Sequence, residues 1–271
     1  MTAAAAIRLV VCDVDGTLVD REKRLSPATI AAVRRVRNAG IGFTVISARP
    51  PSGVLPIAAA LGLDMAVAAF NGGAVFRRDG EAMESHVVPA EVARGMLELA
   101  QGSGADVWAF ADGRWHANKP DNPHMPRERV SVNQEPVITA DPAPLADRVG
   151  KLTFVSDSPP VLAGLLDAGR DRYGEQATIA QSQAYYLDVT ALQANKGAGV
   201  EALAREAGVG LAEVMVIGDM QNDLPMLTRA GLAVVMGQAP ADVKAAADWI
   251  TGSNDEDGVA AALDRLLAER S

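Results

Sequence analysis

Apolar residues come in short runs separated by polar turns along much of this chain. The first run, residues 7–12, stops at two carboxylates and a glycine, Asp13-Val14-Asp15-Gly16. Such a run bounded by turn signals reads as a buried strand. Side chains two apart on a strand share a face, so the spacing predicts Asp13 and Asp15 on one side. Ser26-Pro27 reads as a capping hydroxyl followed by proline at the first helical position. It opens a helix that runs to about Ala39 and stops at Gly40. A second apolar run, residues 42–46, ends in Ser47-Ala48-Arg49. Strand, helix and strand at this spacing predict a parallel βαβ unit, which brings Ser47 to the same carboxyl edge as Asp13. A helix over about 52–61 follows, and then a strand over 65–69 that ends at Asn71-Gly72-Gly73.

The texture then changes. Asp79-Gly80 and Asp112-Gly113 carry hairpin chemistry. Helical stretches near 90–101 and 160–173 alternate with strands near 107–111, 151–155 and 185–189. Residues 118–136, rich in Pro, Asn and charge, read as a long loop. Hairpins sit poorly inside a parallel sheet, so residues 87–187 read as an inserted α+β domain. Residues 1–86 and 188–271 then form one α/β core around a parallel sheet. Within that core, parallel texture returns at Asn195. A helix over 196–207 ends at Gly208, and the strand 214–217 runs into Gly218-Asp219-Met220-Gln221-Asn222-Asp223. One more strand, 232–236, and helices near 241–247 and 258–268 complete the pattern.

Composition narrows the function. With 49% hydrophobic residues in 271, the chain can bury a full core and has no disordered signature. A net charge of −9 argues against binding a nucleic-acid backbone. It leaves room for a small anionic substrate, because a metal ion or a few local cations can reverse the field at one site. A single cysteine, Cys12, excludes an internal disulfide and a cysteine zinc site, and its apolar setting reads as packing. No basic region precedes the first apolar segment, and no apolar run reaches the roughly 18 residues of a membrane span. A cytoplasmic protein with no membrane partner is the expectation.

The strand ends gather Asp13, Asp15, Ser47, Asp219, Asn222 and Asp223 along one edge, with Lys196 opening a helix that can reach it. Carboxylates, a hydroxyl and a lysine together make sense as a magnesium and phosphate site, since Mg²⁺ takes hard oxygen ligands and shares them with substrate phosphate. Four ionised acids alone would repel a phosphate dianion. A divalent ion and one lysine offset that repulsion.

On these residues the chain resembles the haloacid dehalogenase-like phosphatases, of the Cof-type subfamily with a large α+β cap. The resemblance runs through four motifs in order. They are Asp13-Val14-Asp15-Gly16-Thr17, Ser47-Ala48-Arg49, Asn195-Lys196-Gly197 and the intact Gly218 to Asp223 segment. Ala48 departs from the usual glycine. Asn71-Gly72-Gly73 and the 252–258 segment, Gly252-Ser253-Asn254-Asp255-Glu256-Asp257-Gly258, also fit the subfamily.

The resemblance implies a Rossmann-like core with a substrate-selecting cap and an aspartyl-phosphate mechanism on a small phosphorylated metabolite, a sugar phosphate being favoured. Asp13 would be the nucleophile and Asp15 the acid and base. Mg²⁺ would be held by Asp13, the backbone carbonyl of Asp15, and Asp219. Asp223 would orient metal waters or Lys196. Ser47, Lys196 and Asn222 would hold phosphoryl oxygens, and Arg49 would either touch substrate or bridge acids. Plainer readings stand beside these. Ser47 and Asn222 can cap helices, Lys196 can lie on a solvated helix face, and Thr17 can steady the loop or touch Asp15. In the cap, Trp108, Trp115, His116, Lys119, His124, Arg127, Tyr185 and Tyr186 are the candidates for reading the leaving group, with packing or solvent exposure the commoner role for each. Two other functions remain: a phosphomutase of the phosphomannomutase kind, and a non-catalytic binding protein on the same fold.

Overall fold

Every residue of β1 (Leu9–Asp13) is buried. A strand with partners on both sides and helices packed over it shows no alternation of polar and apolar positions. That is why the first apolar run is so plain in the sequence. In the computed structural model, which describes residues 3–270, the chain divides into two units. The first comprises Met1–Ala48, Val54–Met83 and Asn195–Ser271, and the second Arg49–Gly53 and Glu84–Ala194.

The strands follow in chain order. After β1 come β2 (Gly42–Ile46), β3 (Val67–Ala69), β4 (Ala74–Phe76) and β5 (Ala82–Ser85). Then come β6 (Asp106–Ala111), β7 (Arg114–Ala117), β8 (Val137–Ile138), β9 (Val149–Val155), β10 (Ala177–Gln183) and β11 (Tyr186–Ala191). β12 (Val214–Gly218), β13 (Leu232–Val235) and β14 (Trp249–Ile250) close the series. One sheet has the order β14-β13-β12-β1-β2-β3-β4-β5, and a six-stranded sheet has the order β10-β11-β9-β6-β7-β8.

In the first sheet, β1 pairs in parallel with β12 and β2, β12 with β13, and β13 with β14. Only the β3–β4 ribbon turns antiparallel among its registered pairs. Leu9, Val11, Val214 and Val216 pack with Val200 and Leu203 of the helix Lys196–Glu206. The helix Pro27–Asn38 starts as its sequence predicts, with the Ser26 side chain accepting from the Thr29 amide at 3.0 Å. The α/β class and the parallel βαβ start are therefore as expected.

The second unit is a mostly antiparallel sheet with helices Ala90–Ala100 and Pro159–Tyr173 on one face. Val107, Ala109, Leu152, Phe154, Leu187 and Val189 meet Val92, Met96, Leu162 and Leu165 there. Asp112 and Gly113 both take positive φ, 52° and 70°, as a tight hairpin turn with the twist of its strands demands. One expectation fails here. Residues 118–136 are not a continuous loop, because Met125–Val132 is helical. Only Met125 and Val132 of that helix are buried, so its apolar stripe is too thin to show a helical period. β8 and β10 escaped notice for a similar reason: both residues of β8 and three of the seven in β10 are exposed.

Two helical glycines separate close packing from open surface. A Cβ on Gly199 would lie 2.7 Å from the Gly72 Cα, a backbone atom that cannot turn aside. A Cβ on Gly164 would meet nothing within 4 Å. In a helix interior, alanine is favoured over glycine by ~1 kcal/mol. Gly164→Ala should therefore raise stability by up to ~1 kcal/mol. Gly199→Ala should lower it by about 1–3 kcal/mol, overpacking outweighing propensity. Urea unfolding of both variants against the parent checks the two signs.

Candidate active site

Parallel pairing places the carboxyl ends of β1, β2, β12 and β13 on one edge of the sheet. Asp13 is the last residue of β1, and Ser47 follows β2. Asp219 follows β12, and Gln238 stands three residues beyond β13. Lys196 is the first residue of its helix, which Asn195 caps by accepting from the Ala198 amide at 3.0 Å. Ligands in open α/β sheets bind beyond such strand ends.

The centre of the arrangement is a buried ion cluster. The Lys196 ammonium donates to Asp13 Oδ1, and to Asp223 Oδ1 at 2.6 Å. All three side chains are almost wholly inaccessible. Asp223 Oδ2 accepts from the backbone amides of Asp219 and Met220 at 2.8 and 2.9 Å. Both oxygens of Asp223 are thus committed to donors. Asp219 is held on both oxygens too, by Thr17 Oγ1 at 3.2 Å and by Gln238 Nε2 at 3.4 Å. Gln238 Nε2 also donates to the Gly16 carbonyl at 2.5 Å.

Charge in this cluster is unbalanced. Burial pushes the Asp13 carboxyl well above the ordinary carboxylate range. Lys196 pulls it down, and Asp223 and Asp219 push it further up. Burial likewise raises Asp219 to about 6, with Asp223 adding to the rise against Lys196 and Thr17. Burial disfavours the charged Lys196, but Asp13 and Asp223 outweigh it and hold the ammonium above its usual value. Three carboxylates face one fixed cation, so the cluster suits a further positive charge. Carboxylate oxygens of Asp13, Asp219 and Asp223 lie within 4.8 Å of one another. Hard oxygen donors at this spacing fit a divalent cation of the magnesium kind.

The expected site residues divide into three groups. Asp13, Lys196, Asp219 and Asp223 come together in the cluster just described. Ser47 and Asn222 lie at the same edge of the first unit. Ser47 is buried, and its backbone bonds to Ala68 and Asn71, through Ser47 N to Ala68 O at 3.0 Å and Asn71 N to Ser47 O at 2.8 Å. Asn222 is exposed and donates to Asn71 Oδ1 at 3.2 Å. The third group makes other contacts. Asp15 Oδ1 accepts from the Lys23 ammonium at 2.5 Å. Arg49 is buried and falls in the second unit. Thr17, read as steadying the loop or touching Asp15, bonds to Asp219. Cys12 is buried, and burial pushes its thiol well up, in keeping with a packing role.

Sequence reasoning passed over Lys23 and Gln238. Gln238 could have been found by the strand-end rule that gave Ser47 and Asp219, since it follows β13. Lys23 had no such signal: it stands in a turn with φ +64°, a conformation that a lysine does not announce.

Within the second unit, the aromatic candidates form one group. Trp108 and Trp115 are fully buried and meet edge to face at 5.1 Å. Their indole N–H groups are the only buried side-chain polar atoms without a hydrogen-bond partner among the described residues. His124 stacks on Tyr185 at 3.8 Å, and its Nε2 lies 2.8 Å from Asp157 Oδ1. Tyr186 donates to Glu128 at 3.4 Å, Lys119 pairs with Asp106 at 2.5 Å, and His116 Nδ1 lies 2.9 Å from Thr139 Oγ1. Arg127 is exposed, on the helix Met125–Val132.

Comparison with known proteins agrees with this geometry. Residues 10–263 match the model of the haloacid dehalogenase-like hydrolase family. The HMP-PP phosphatase of Escherichia fergusonii is 30% identical over 238 residues, which cover 88% of this chain and 87% of the relative. A haloacid dehalogenase-like hydrolase from Bacteroides thetaiotaomicron superposes with a TM-score of 0.88 at 29% identity, over 96% of this chain and 99% of that one. The subclass IIB sugar phosphatase BT4131 superposes with a TM-score of 0.81 at 26% identity, over 95% and 98% of the two chains. Among the described residues no helix is long and apolar enough to cross a membrane. The chain belongs to the haloacid dehalogenase-like hydrolases and is an enzyme of their phosphatase class.

Proposed function

We propose that the protein is a Mg²⁺-dependent phosphomonoester hydrolase that works through an aspartyl-phosphate on Asp13. The observation that carries this reading is the Asp13 carboxylate, buried at the end of the central strand and held by Lys196 beside Asp219 and Asp223. A carboxylate fixed in one orientation, with a cation on one oxygen, is suited to in-line attack through the other.

The steps follow from these residues. Asp13 attacks phosphorus, and the bond from phosphorus to the alcohol oxygen breaks. Asp15 gives its proton to the departing alcohol. Asp15 then takes a proton from the incoming water, which attacks the acyl phosphate and releases inorganic phosphate and free Asp13. Lys196, Ser47 and Asn222 hold phosphoryl oxygens while charge shifts among them. Arg49 is assigned to the substrate. Mg²⁺, held by Asp13, Asp219 and the Asp15 carbonyl, would supply positive charge that offsets the acids and the phosphate dianion. Asp223, which accepts from the Lys196 ammonium and from two backbone amides, is assigned to orienting Lys196 or the waters on the ion. Residues 87–187 act as the substrate-selecting domain. The favoured substrate is a sugar phosphate; the sugar phosphatase among the structural relatives supports it.

Three measurements test this reading. Asp13→Asn should lower phosphate release from p-nitrophenyl phosphate with Mg²⁺ by at least about a thousandfold. A variant that keeps a tenth of the rate would end the nucleophile assignment. A phosphomutase would instead move phosphate between hydroxyls and depend on a bisphosphate activator. Dialysis against a chelator should abolish release, and Mg²⁺ should restore it. Asp219→Asn should need about ten- to hundredfold more Mg²⁺ for half-maximal rate. Release that survives chelation would remove the metal from the mechanism.

A further inference from the structure

Lys23 stands ten residues beyond Asp13, in none of the motifs that identify the site. Its backbone lies at φ +64°, where glycine or asparagine is the usual occupant. The turn that holds it is closed on itself. Asp20 N donates to the Arg24 carbonyl at 3.0 Å, and Lys23 N donates to the Asp20 carbonyl at 3.0 Å. Asp20 also accepts from the Arg24 amide at 2.9 Å and from Arg24 Nε at 3.0 Å.

The same turn is tied to a distant segment of the chain. Asn254 Nδ2 donates to the Val19 carbonyl at 2.9 Å, and Arg21 Nε pairs with Asp255 at 2.7 Å. Asn254 N in turn donates to Gln238, whose amide holds Asp219 and the Gly16 carbonyl. One continuous set of bonds therefore runs from the turn to the acid cluster.

The product of this scaffolding is a single side-chain contact at the site. Lys23 Nζ lies 2.5 Å from Asp15 Oδ1, with the two side chains only 19% and 31% exposed. A glycine would make the turn without strain, but it would leave Asp15 without this ammonium. A flexible surface ion pair gains little, because two long side chains must be ordered to make it. Here the turn already orders one of them.

We infer that Lys23 is a positioning residue for Asp15: it grips one carboxylate oxygen and so fixes the direction in which the other exchanges its proton with the leaving alcohol. This rests on the reading of Asp15 as acid and base given above. The contact adds no step to the reaction. It narrows the orientations from which the proton transfer can start.

The test separates proton transfer from everything else by leaving group. Phenyl phosphate and p-nitrophenyl phosphate have nearly the same shape, but phenolate is the more basic leaving group and gains more from protonation. The readout is the ratio of kcat/KM for phenyl phosphate to kcat/KM for p-nitrophenyl phosphate, with Mg²⁺. Asp15→Asn should lower that ratio about a hundredfold. Lys23→Met should lower it about tenfold, and so should Lys23→Gly, which suits the positive φ and keeps the turn. Lys23→Arg should recover most of the loss. If Asp15→Asn lowers the ratio and both Lys23 variants leave it at the parent value, Lys23 does not position Asp15. If Lys23→Gly slows both substrates equally, the ammonium acts on something other than proton transfer to the leaving group, and the inference is equally overturned. A parent ratio in Asp15→Asn itself would locate the failure in the acid assignment of Asp15, and the role of Lys23 would fall with it.

Discussion

The first unit depends on one ammonium group placed where water cannot reach it. Lys196 is 1% exposed and lies between two carboxylates that are no more accessible to solvent than a core leucine. Taking three charges out of water is costly, and mutual attraction repays it only when the remaining bonding capacity is also met. Asp223 meets that condition through two backbone amides, and Asp13 lies on the central strand, where it cannot move. Removing one partner of such a buried set typically costs about 3–5 kcal/mol, because the others are left uncompensated. The cluster also joins parts of the chain that are 183 residues apart. Site geometry and fold stability are therefore one problem here, since the groups proposed to carry the chemistry also join distant parts of the core.

Such crowding of carboxylates needs backbone that gets out of the way. Gly16 lies at φ +84°, and a Cβ there would run into the Asp219 carboxylate. Gly218 has ordinary backbone, yet a Cβ on it would stand 2.6 Å from the Asp223 carboxyl carbon. The two glycines serve different ends. One permits a reversal that L-residues resist, and the other clears room for a side chain to fold back over its own strand end. Through that second gap Asp223 reaches the amides of Asp219 and Met220, so the loop that presents Asp219 is braced from within.

How much of this was legible in the sequence depends on what signal each feature carries. Buried parallel strands were plain, because β1, β2, β12 and β13 are almost continuous apolar runs ending in polar turns. The βαβ start was plain too, because Ser26-Pro27 and Gly40 punctuate its helix. The gathering of Asp13, Lys196, Asp219 and Asp223 followed from strand ends and order alone. Elements on exposed surfaces were illegible, because the helix Met125–Val132 buries only two residues and β8 buries none. The partner of Asp15 was illegible for a different reason. That partner, Lys23, stands in a turn whose positive φ a lysine does not announce, and the turn decides where its ammonium goes. Local pattern fixes which residues reach the edge, but the pairing of side chains there is set by turns.

That division bears on how the chain tolerates a long insertion. The first unit is left briefly after Ala48 and again after Met83, and is resumed at Asn195, so the stretch between β1 and Lys196 contains all of the second unit. The entropic cost of closing a loop rises only as the logarithm of its length, each doubling adding about 0.6 kcal/mol. An intervening segment with its own core pays for its own ordering, and the second unit has one, built on Phe154, Leu187 and Met96. Lys196 can therefore be delivered from far along the chain at little extra cost, provided that the chain re-enters at a fixed point. Asn195 supplies that point, because its side chain caps the helix at Ala198 and its successor is the lysine itself. The ion cluster at the sheet edge is then insulated from the length and sequence of what is inserted, and the second unit can vary without removing the residues that build it.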